Sequence, residues 1–513
     1  MFKLNTQSLS HYLNGKFLAY SMVILIITLF YSWSANGQDK DNGSLLTIVK
    51  DYAEAMIEDG RDIYGEEHSP LFAAVLNRET MDLGSVEIFG SVPGVREGDR
   101  SIEGANPQED TGLYAILYEL TELTGEEKYA READKALKFF FNRGQSPETG
   151  LLAWGEHLFW DLVDETYGGG DIHEINGEWP YWDQSYTLAP DASWNYVIGL
   201  WDHQIANKET GNFARHTKWS EHGPETGTEF PRYAGQMILD WAIAYDREEN
   251  KHRERRDDML EAISVVIGRM EHNMSIAKAG YLPAGTTEVG DHINVAWMPN
   301  NLEMARTFWK AKPYIEDVDK DLADRMEKLA LEQDLGFHQA PHKISSGGGF
   351  ATTLHAQTGE PRTRDMNKPY TAVWATGYGH GTHAELANLS FKRHEQLKKS
   401  HSELANKYKV LILAAAEQYL SAEPNLDDLH KPDAFSSIIE LMLHAYSLTD
   451  DKKYLNRADE FGRISIDLFL DDDLPLPKAT NQHSHYEANT GGAEWMHTLL
   501  KLYLVQQNYL QKK

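Results

Sequence analysis

Apolar residues recur along this chain at the three-to-four spacing of helices that bury one face. Leu45, Leu46, Val49, Tyr52, Ala53, Met56 and Ile57 share a face that Asp51, Glu54 and Glu58 avoid. Leu113, Ile116, Leu117, Leu120 and Leu123 repeat the pattern, as do Tyr129, Ala133, Ala136, Leu137 and Phe140, and later Trp495, Leu499, Leu502 and Tyr503. About thirteen such segments are predicted, over 45–59, 110–124, 127–143, 189–205, 231–247, 252–273, 298–311, 316–335, 382–398, 402–421, 433–448, 451–469 and 490–508. Alternating strand patterns are scarce.

An internal repeat says how these helices are joined. Leu123-Thr124-Gly125-Glu126-Glu127-Lys128-Tyr129, followed by Ala133-Asp134, recurs as Leu448-Thr449-Asp450-Asp451-Lys452-Lys453-Tyr454, followed by Ala458-Asp459. Tyr245 to Asp257 is a blurred third copy. Each copy is a short polar turn between two helices, which makes them antiparallel, and repeated hairpins bury their apolar faces only by stacking on one another. About six hairpins closing on themselves give the expected fold, an all-α (α/α)6 toroid; an open solenoid is the rival. Residues 60–109, 144–188, 206–229, 274–297, 336–381 and 470–489 are too long for turns and tend to alternate with them. That alternation puts the long loops on one rim, where a cleft is expected. Ser345-Ser346-Gly347-Gly348-Gly349 reads as a lid or a short hairpin.

Composition narrows the setting. Lys3, Lys16 and no acid precede a mostly apolar run from Phe17 to Trp33, and Ala35-Asn36-Gly37 offers small residues for cleavage before Gln38. Residues 1–37 are therefore expected to be a signal peptide, the protein periplasmic, and 38–513 a single catalytic toroid, with membrane contact only through an uncleaved leader. Removing two lysines and no acid takes the formal charge from −30 to −32. A surface of that sign repels nucleic acid. No cysteine is present, so disulfides and zinc-thiolate sites are excluded and any metal is left to His and carboxylates. The 13 Trp and 25 Tyr are many for a polar chain, and flat rings stack on sugar faces, although ordinary core packing accounts for most of them.

The chemistry-bearing residues gather in the long loops and the helix starts that follow. Trp154-Gly155-Glu156-His157 precedes Trp160; Trp179, Tyr181, Trp182 and Asp183 follow, then Trp201-Asp202-His203-Gln204 and Phe213-Ala214-Arg215-His216. Glu229-Phe230-Pro231-Arg232-Tyr233 opens a helix with Pro in its first turn. Farther on lie Gly377-Tyr378-Gly379-His380-Gly381-Thr382-His383-Ala384-Glu385 and His483-Ser484-His485-Tyr486-Glu487. These are the parts of a sugar cleft: aromatic platforms, Arg forks for carboxylates, and His or Tyr to move protons near neutral pH. A lone His at a helix start is more often a cap or a satisfied core group. His380 and His383 at i and i+3, with Glu385 near, permit a metal site, but no HExxH-type or EF-hand-type pattern is present and neither metal nor other cofactor is expected. No G-x-S-x-G elbow supports a serine triad.

The leader, together with the hairpin array and the Trp/His/Arg loops across residues 45–508, resembles those of bacterial toroid enzymes of uronic-acid polysaccharide breakdown, a grouping of polysaccharide lyases, unsaturated-uronyl hydrolases and an oligosaccharide dehydratase of ulvan degradation. Lyases of this kind are often followed by a β-sandwich domain, a pattern this sequence lacks, which leaves the uronyl hydrolases and the dehydratase open. The resemblance implies an oligosaccharide or polysaccharide substrate and elimination beside a uronate carboxylate, by a lyase or dehydratase that leaves a 4,5-unsaturated end. Arg215 and Arg232 are then expected to clamp the carboxylate, and Tyr378 and His380, with His216 and His203 in competition, to carry protons. Trp154, His157, Trp182, Tyr233 and His383 are the expected sugar contacts. Hydrolysis through Asp183, Asp191 or Asp202 is the second reading, and a non-catalytic periplasmic sugar-binding scaffold the third.

Overall fold

The computed structural model describes residues 44–247, 252–286, 289–364, 368–375, 377, 379, 381–471 and 473–511. The expected leader lies outside them, as do Tyr378, His380 and part of the third repeat copy. The chain divides into two units, 1–47 and 48–513. Of the first, residues 44–47 are described: the Thr47 amide donates to Ser44 Oγ at 3.2 Å. No helix among the described residues is long and apolar enough to cross a membrane.

Among the described residues there are fourteen helices of seven residues or more: α1 (Leu45–Glu58), α2 (Thr111–Thr124), α3 (Lys128–Arg143), α4 (Trp182–Leu188), α5 (Pro190–Gly199), α6 (Pro231–Asp246), α7 (Arg253–Ser275), α8 (Met298–Ile315), α9 (Lys320–Gln339), α10 (His383–Leu397), α11 (Ser402–Tyr419), α12 (Pro432–Thr449), α13 (Lys452–Phe469) and α14 (Gly492–Gln511). The even-numbered helices pack on one another in sequence, α6 on α8, α8 on α10, α10 on α12 and α12 on α14, and α14 returns to α2. Between α6 and α2 the wall is made by short α4. Trp182 Nε1 donates to Asp240 Oδ1 of α6 at 2.7 Å, and the Tyr181 hydroxyl donates to the Thr111 carbonyl of α2 at 2.7 Å. The odd-numbered helices back the even ones, α3 on α2, α7 on α6, α9 on α8, α11 on α10 and α13 on α12. Burial separates the layers: α6 buries thirteen residues of sixteen, whereas α3, of the same length, buries only the six of one face. Residues 48–513 thus form the expected all-α toroid of hairpins, six long inner helices with α4 as a short additional stave.

The ring can close because a glycine stands where its last two helices come closest. A Cβ added to Gly112 would stand 2.6 Å from the Ala493 carbonyl carbon and the Glu494 nitrogen, so only glycine lets α2 and α14 approach so closely. The sequence repeat is also a structural one. Thr124 and Thr449 hydroxyls each donate to the carbonyl four residues back, at 2.7 Å. Gly125 and Asp450 then turn through positive φ, 74° and 55°. Lys128 and Tyr129 hold Glu54 of α1 at 2.6 and 2.5 Å, just as Lys453 and Tyr454 hold Glu417 of α11 at 2.7 and 2.6 Å.

Every long connection, 59–110, 144–181, 200–230, 276–297, 340–382 and 470–491, runs from an odd helix to the next even one, while returns such as 125–127, 316–319 and 450–451 are short. The long loops therefore crowd the end of the ring where the inner helices begin, and there, among the described residues, they pair into five sheets of two- to four-residue strands. Two expectations change. The stretch 144–188 is not all loop, because α4 is too short to register a helical period. The glycine-rich 345–349 is no free lid: Gln418 of α11 donates to the carbonyls of Ile344 and Gly348, each at 3.1 Å.

Candidate active site

Backbone pairing assembles the site. Ile172–His173 pairs antiparallel with Thr217–Lys218, His173 opposite Thr217, so the next step of the register sets Glu174 against His216. Gly155 then runs beside Glu174 at φ 105°, where any Cβ would meet the Glu174 carbonyl oxygen at 1.9 Å. That approach delivers His157, and Asn106 fixes it by donating to the Gly155 carbonyl at 2.8 Å. Pro231 starts α6 and places Arg232 in its first turn. Tyr233 beneath it is fully buried and its hydroxyl accepts from the Ile175 amide at 3.1 Å and Gln204 Nε2 at 2.6 Å.

Four basic side chains converge on one buried carboxylate. Arg215 donates to Glu174 Oε1, Arg232 Nη2 reaches the same oxygen at 3.4 Å, and the Nε2 atoms of His216 and His157 lie 2.6 and 3.4 Å from Oε2. Burial alone would raise the Glu174 pKa. The bonds from His157 and His216 and the charges of Arg215 and Arg232 outweigh it and hold the carboxyl far below its usual range. Asp99 Oδ1 takes the other nitrogen of His157 at 3.1 Å, and with Asp99 and Glu174 as partners the imidazole is raised to about 9. Arg96 links this shell, donating to Asp99 at 2.6 Å and to Glu156. Beside the cluster opens a cavity of about 410 Å³ lined by Arg96, Asp99, Glu109, Glu156, Arg232 and Lys431, among others.

His157, Glu174 and His216 also offer three ligand atoms within 4.8 Å of one another. Two imidazoles and a carboxylate suit a first-row divalent cation, and the Asp99 bond to the far nitrogen of His157 is the outer partner that a ligating histidine ordinarily keeps. The sequence raised a metal only for His380 and His383 and expected none. Among the described residues it is the pairing of two loops 44 positions apart, His173 with Thr217, that brings a suitable set together, so no local spacing announced it.

Of the expected site residues, Arg215, His216, Arg232 and His157 meet at Glu174, which the sequence did not single out. Trp154 is core, 1% exposed and stacked on Phe140 at 5.8 Å. Trp182 is equally buried and spends its indole on Asp240, and Tyr233 is a prop, so none of the three is a sugar platform. His203 lies against His222, ring centroids 5.0 Å apart. His383, 2% exposed, accepts or donates to the Thr371 hydroxyl at 2.7 Å. Asp183 is bound by Arg247, Asp202 by Arg255 at 2.9 Å, and Asp191 lies 3.3 Å from His252, three separate exposed or half-exposed pairs.

Residues 95–239 match the family described as periplasmic pectate lyase. That segment contains every member of the Glu174 cluster, with Arg96, Asp99, Glu109 and Glu156. A pectate disaccharide-lyase of Dickeya dadantii (strain 3937) is 25% identical over 105 residues, which are 20% of this chain and 19% of that protein. The chain thus matches about a fifth of the relative's length. Among solved structures it is similar to the cellobiose 2-epimerase from Bacillus thermoamylovorans B4167 (TM-score 0.46, 8% identity, 90% of this chain and 99% of that one). It is also similar to a family 76 glycoside hydrolase from a bovine Bacteroides thetaiotaomicron strain (TM-score 0.47, 9% identity, 91% and 78%). An unsaturated glucuronyl hydrolase from Streptococcus agalactiae gives a TM-score of 0.43 at 10% identity, over 90% of this chain and 91% of that one.

Proposed function

We propose that this chain is a lyase that cleaves uronate-containing polysaccharide, of the pectate type, by β-elimination beside the Glu174 cluster. One observation carries the reading: two arginines and two histidines converge on a single buried carboxylate at a sugar-sized cavity, inside the segment that matches the pectate lyase family. Removing the proton next to a uronate carboxylate builds negative charge on that carboxylate, and fixed cations at the point where charge develops are usually the largest catalytic contribution. Arg232 lines the cavity, and Arg215 stands 4.4 Å over the Phe230 ring. In this reading Arg232 is the cation that meets the incoming acid group. Bound at His157, Glu174 and His216, a divalent cation would supply the same neutralisation as a Lewis acid. With those three side chains so engaged, two nitrogen groups are left at the cluster: Arg232 holds the substrate carboxylate and Arg215, in its neutral form, accepts the proton; in a metal-free site His216 takes that part. Tyr378 and His380, expected to carry protons, lie outside the described residues. Hydrolysis through Asp183, Asp191 or Asp202 has weaker support, because the three acids sit in separate pairs away from this cluster.

The test is polygalacturonate, followed by the ultraviolet absorbance of a conjugated unsaturated uronate. Wild-type protein should give a rising signal, abolished by chelator and restored by added divalent cation. Arg215→Lys, which keeps the charge, should bind oligogalacturonate but turn over at least about a hundredfold more slowly if Arg215 is the base. Reducing sugar released without absorbance would reject elimination in favour of hydrolysis.

A further inference from the structure

Elimination needs an acid as well as a base, because the sugar leaving carbon 4 departs as an alkoxide unless a proton meets it. The lining of the same cavity holds one group built for this. Glu109 lines the cavity, yet its side chain is almost wholly enclosed, 7% exposed. Its two oxygens are treated unequally. Ser101 Oγ donates to Oε1 at 3.1 Å and Asn106 Nδ2 donates to the same oxygen at 3.1 Å, while neither bonds Oε2. Asn106 is the residue that also ties down the Gly155 carbonyl, so the clamp on Glu109 and the placement of His157 share one side chain.

We propose that Glu109 is the general acid of the elimination, donating its Oε2 proton to the departing glycosidic oxygen. This rests on the elimination reading above. The bonds balance as follows. The base takes the proton from carbon 5, those electrons form the C4=C5 double bond, the C4–O4 bond breaks, and O4 leaves with its electron pair and takes the Glu109 proton. The carboxylate left behind keeps its Ser101 and Asn106 donors, and both protein groups return to their starting state by exchange with water in the cavity. Burial, reinforced by the charge of neighbouring Asp110, holds the Glu109 pKa well above the usual carboxylate range, so the acid carries its proton where polygalacturonate is ionised.

Glu109→Gln separates this role from a structural one. Glutamine is nearly isosteric, and its carbonyl oxygen accepts from Ser101 and Asn106 as Oε1 does, so oligogalacturonate affinity and thermal stability should match wild type. On polygalacturonate kcat should fall at least about a hundredfold with KM little changed. A galacturonide carrying 4-nitrophenol at O4, whose phenolate leaves without a proton, should be cleaved by the variant within a few-fold of the wild-type rate. Equal losses on both substrates, or no loss on the polymer, would overturn the role of Glu109. His216→Ala should impair both substrates alike. Absence of turnover by wild-type protein on either substrate would instead overturn the elimination reading itself.

Discussion

A side chain's partners, rather than its type, decided which of the expected residues belong to the site. Arg215, His216, Arg232 and His157 were legible in the sequence because basic and aromatic residues crowded into long loops. Glu174 was not, since one acid among 79 Asp and Glu has no distinguishing mark until two loops pair around it. Tryptophans misled for the converse reason: Trp154 and Trp182 flank the site in sequence but turn inward, where their large apolar surface is worth more than a sugar contact. His383 shows the same inward turn and has a consequence for pH. Burial lowers its pKa to about 4. The folded protein keeps it neutral where the unfolded chain, near the ordinary histidine value of about 6.5, takes up a proton. Its contribution is therefore intact above about pH 6.5 and is lost as pH falls toward 4, at up to about 1.4 kcal/mol per unit. Urea melts at pH 7 and 5 should show His383→Gln, which does not titrate, losing less stability between the two than wild type. An unchanged difference would mean that other groups set the acid sensitivity.

Helices were legible where they were long. The repeat around Tyr129 and Tyr454 predicted two hairpins, and the structure adds the reason for its conservation within the chain: each Lys-Tyr pair grips a glutamate on the neighbouring outer helix. Helix α4 was not legible, because seven residues complete barely two turns and no period can be read from so short a run. The α2–α14 contact was hidden for another reason, since glycine at 112 looks like a blemish in a helix until its neighbour is seen. Gly112→Ala should force the two helices apart and cost about 1–3 kcal/mol, in the range of overpacking a tight contact. Thermal melting reads the effect directly. The same change at Gly125, where nothing lies within 4 Å but φ is 74°, strains the backbone without touching the ring and serves as the comparison.

On the scale of the molecule, the alternation of long and short connections was enough to place a cleft on one rim. It could not say that this rim gathers the positive ends of the inner helices within a chain of formal charge −30. The two features oppose each other toward a polyuronate: the body repels it and the mouth attracts it. Screening acts first on the distant charges, with a Debye length of about 30 Å at 0.01 M salt and about 10 Å at 0.1 M. On polygalacturonate kcat/KM should therefore rise severalfold from 10 to about 100 mM salt, then fall as the arginine contacts to substrate are screened in turn. A steady decline from the lowest salt would show that long-range repulsion does not limit encounter.

The seam between Gly112 and Ala493 joins the first inner helix to the last across nearly the whole length of the unit. Half-made copies of this protein can build hairpins as they emerge, but each exposes two open flanks until α14 arrives. The core is thus completed only when α14 has been delivered, and the slow step of its assembly is a rendezvous between two segments far apart in the sequence.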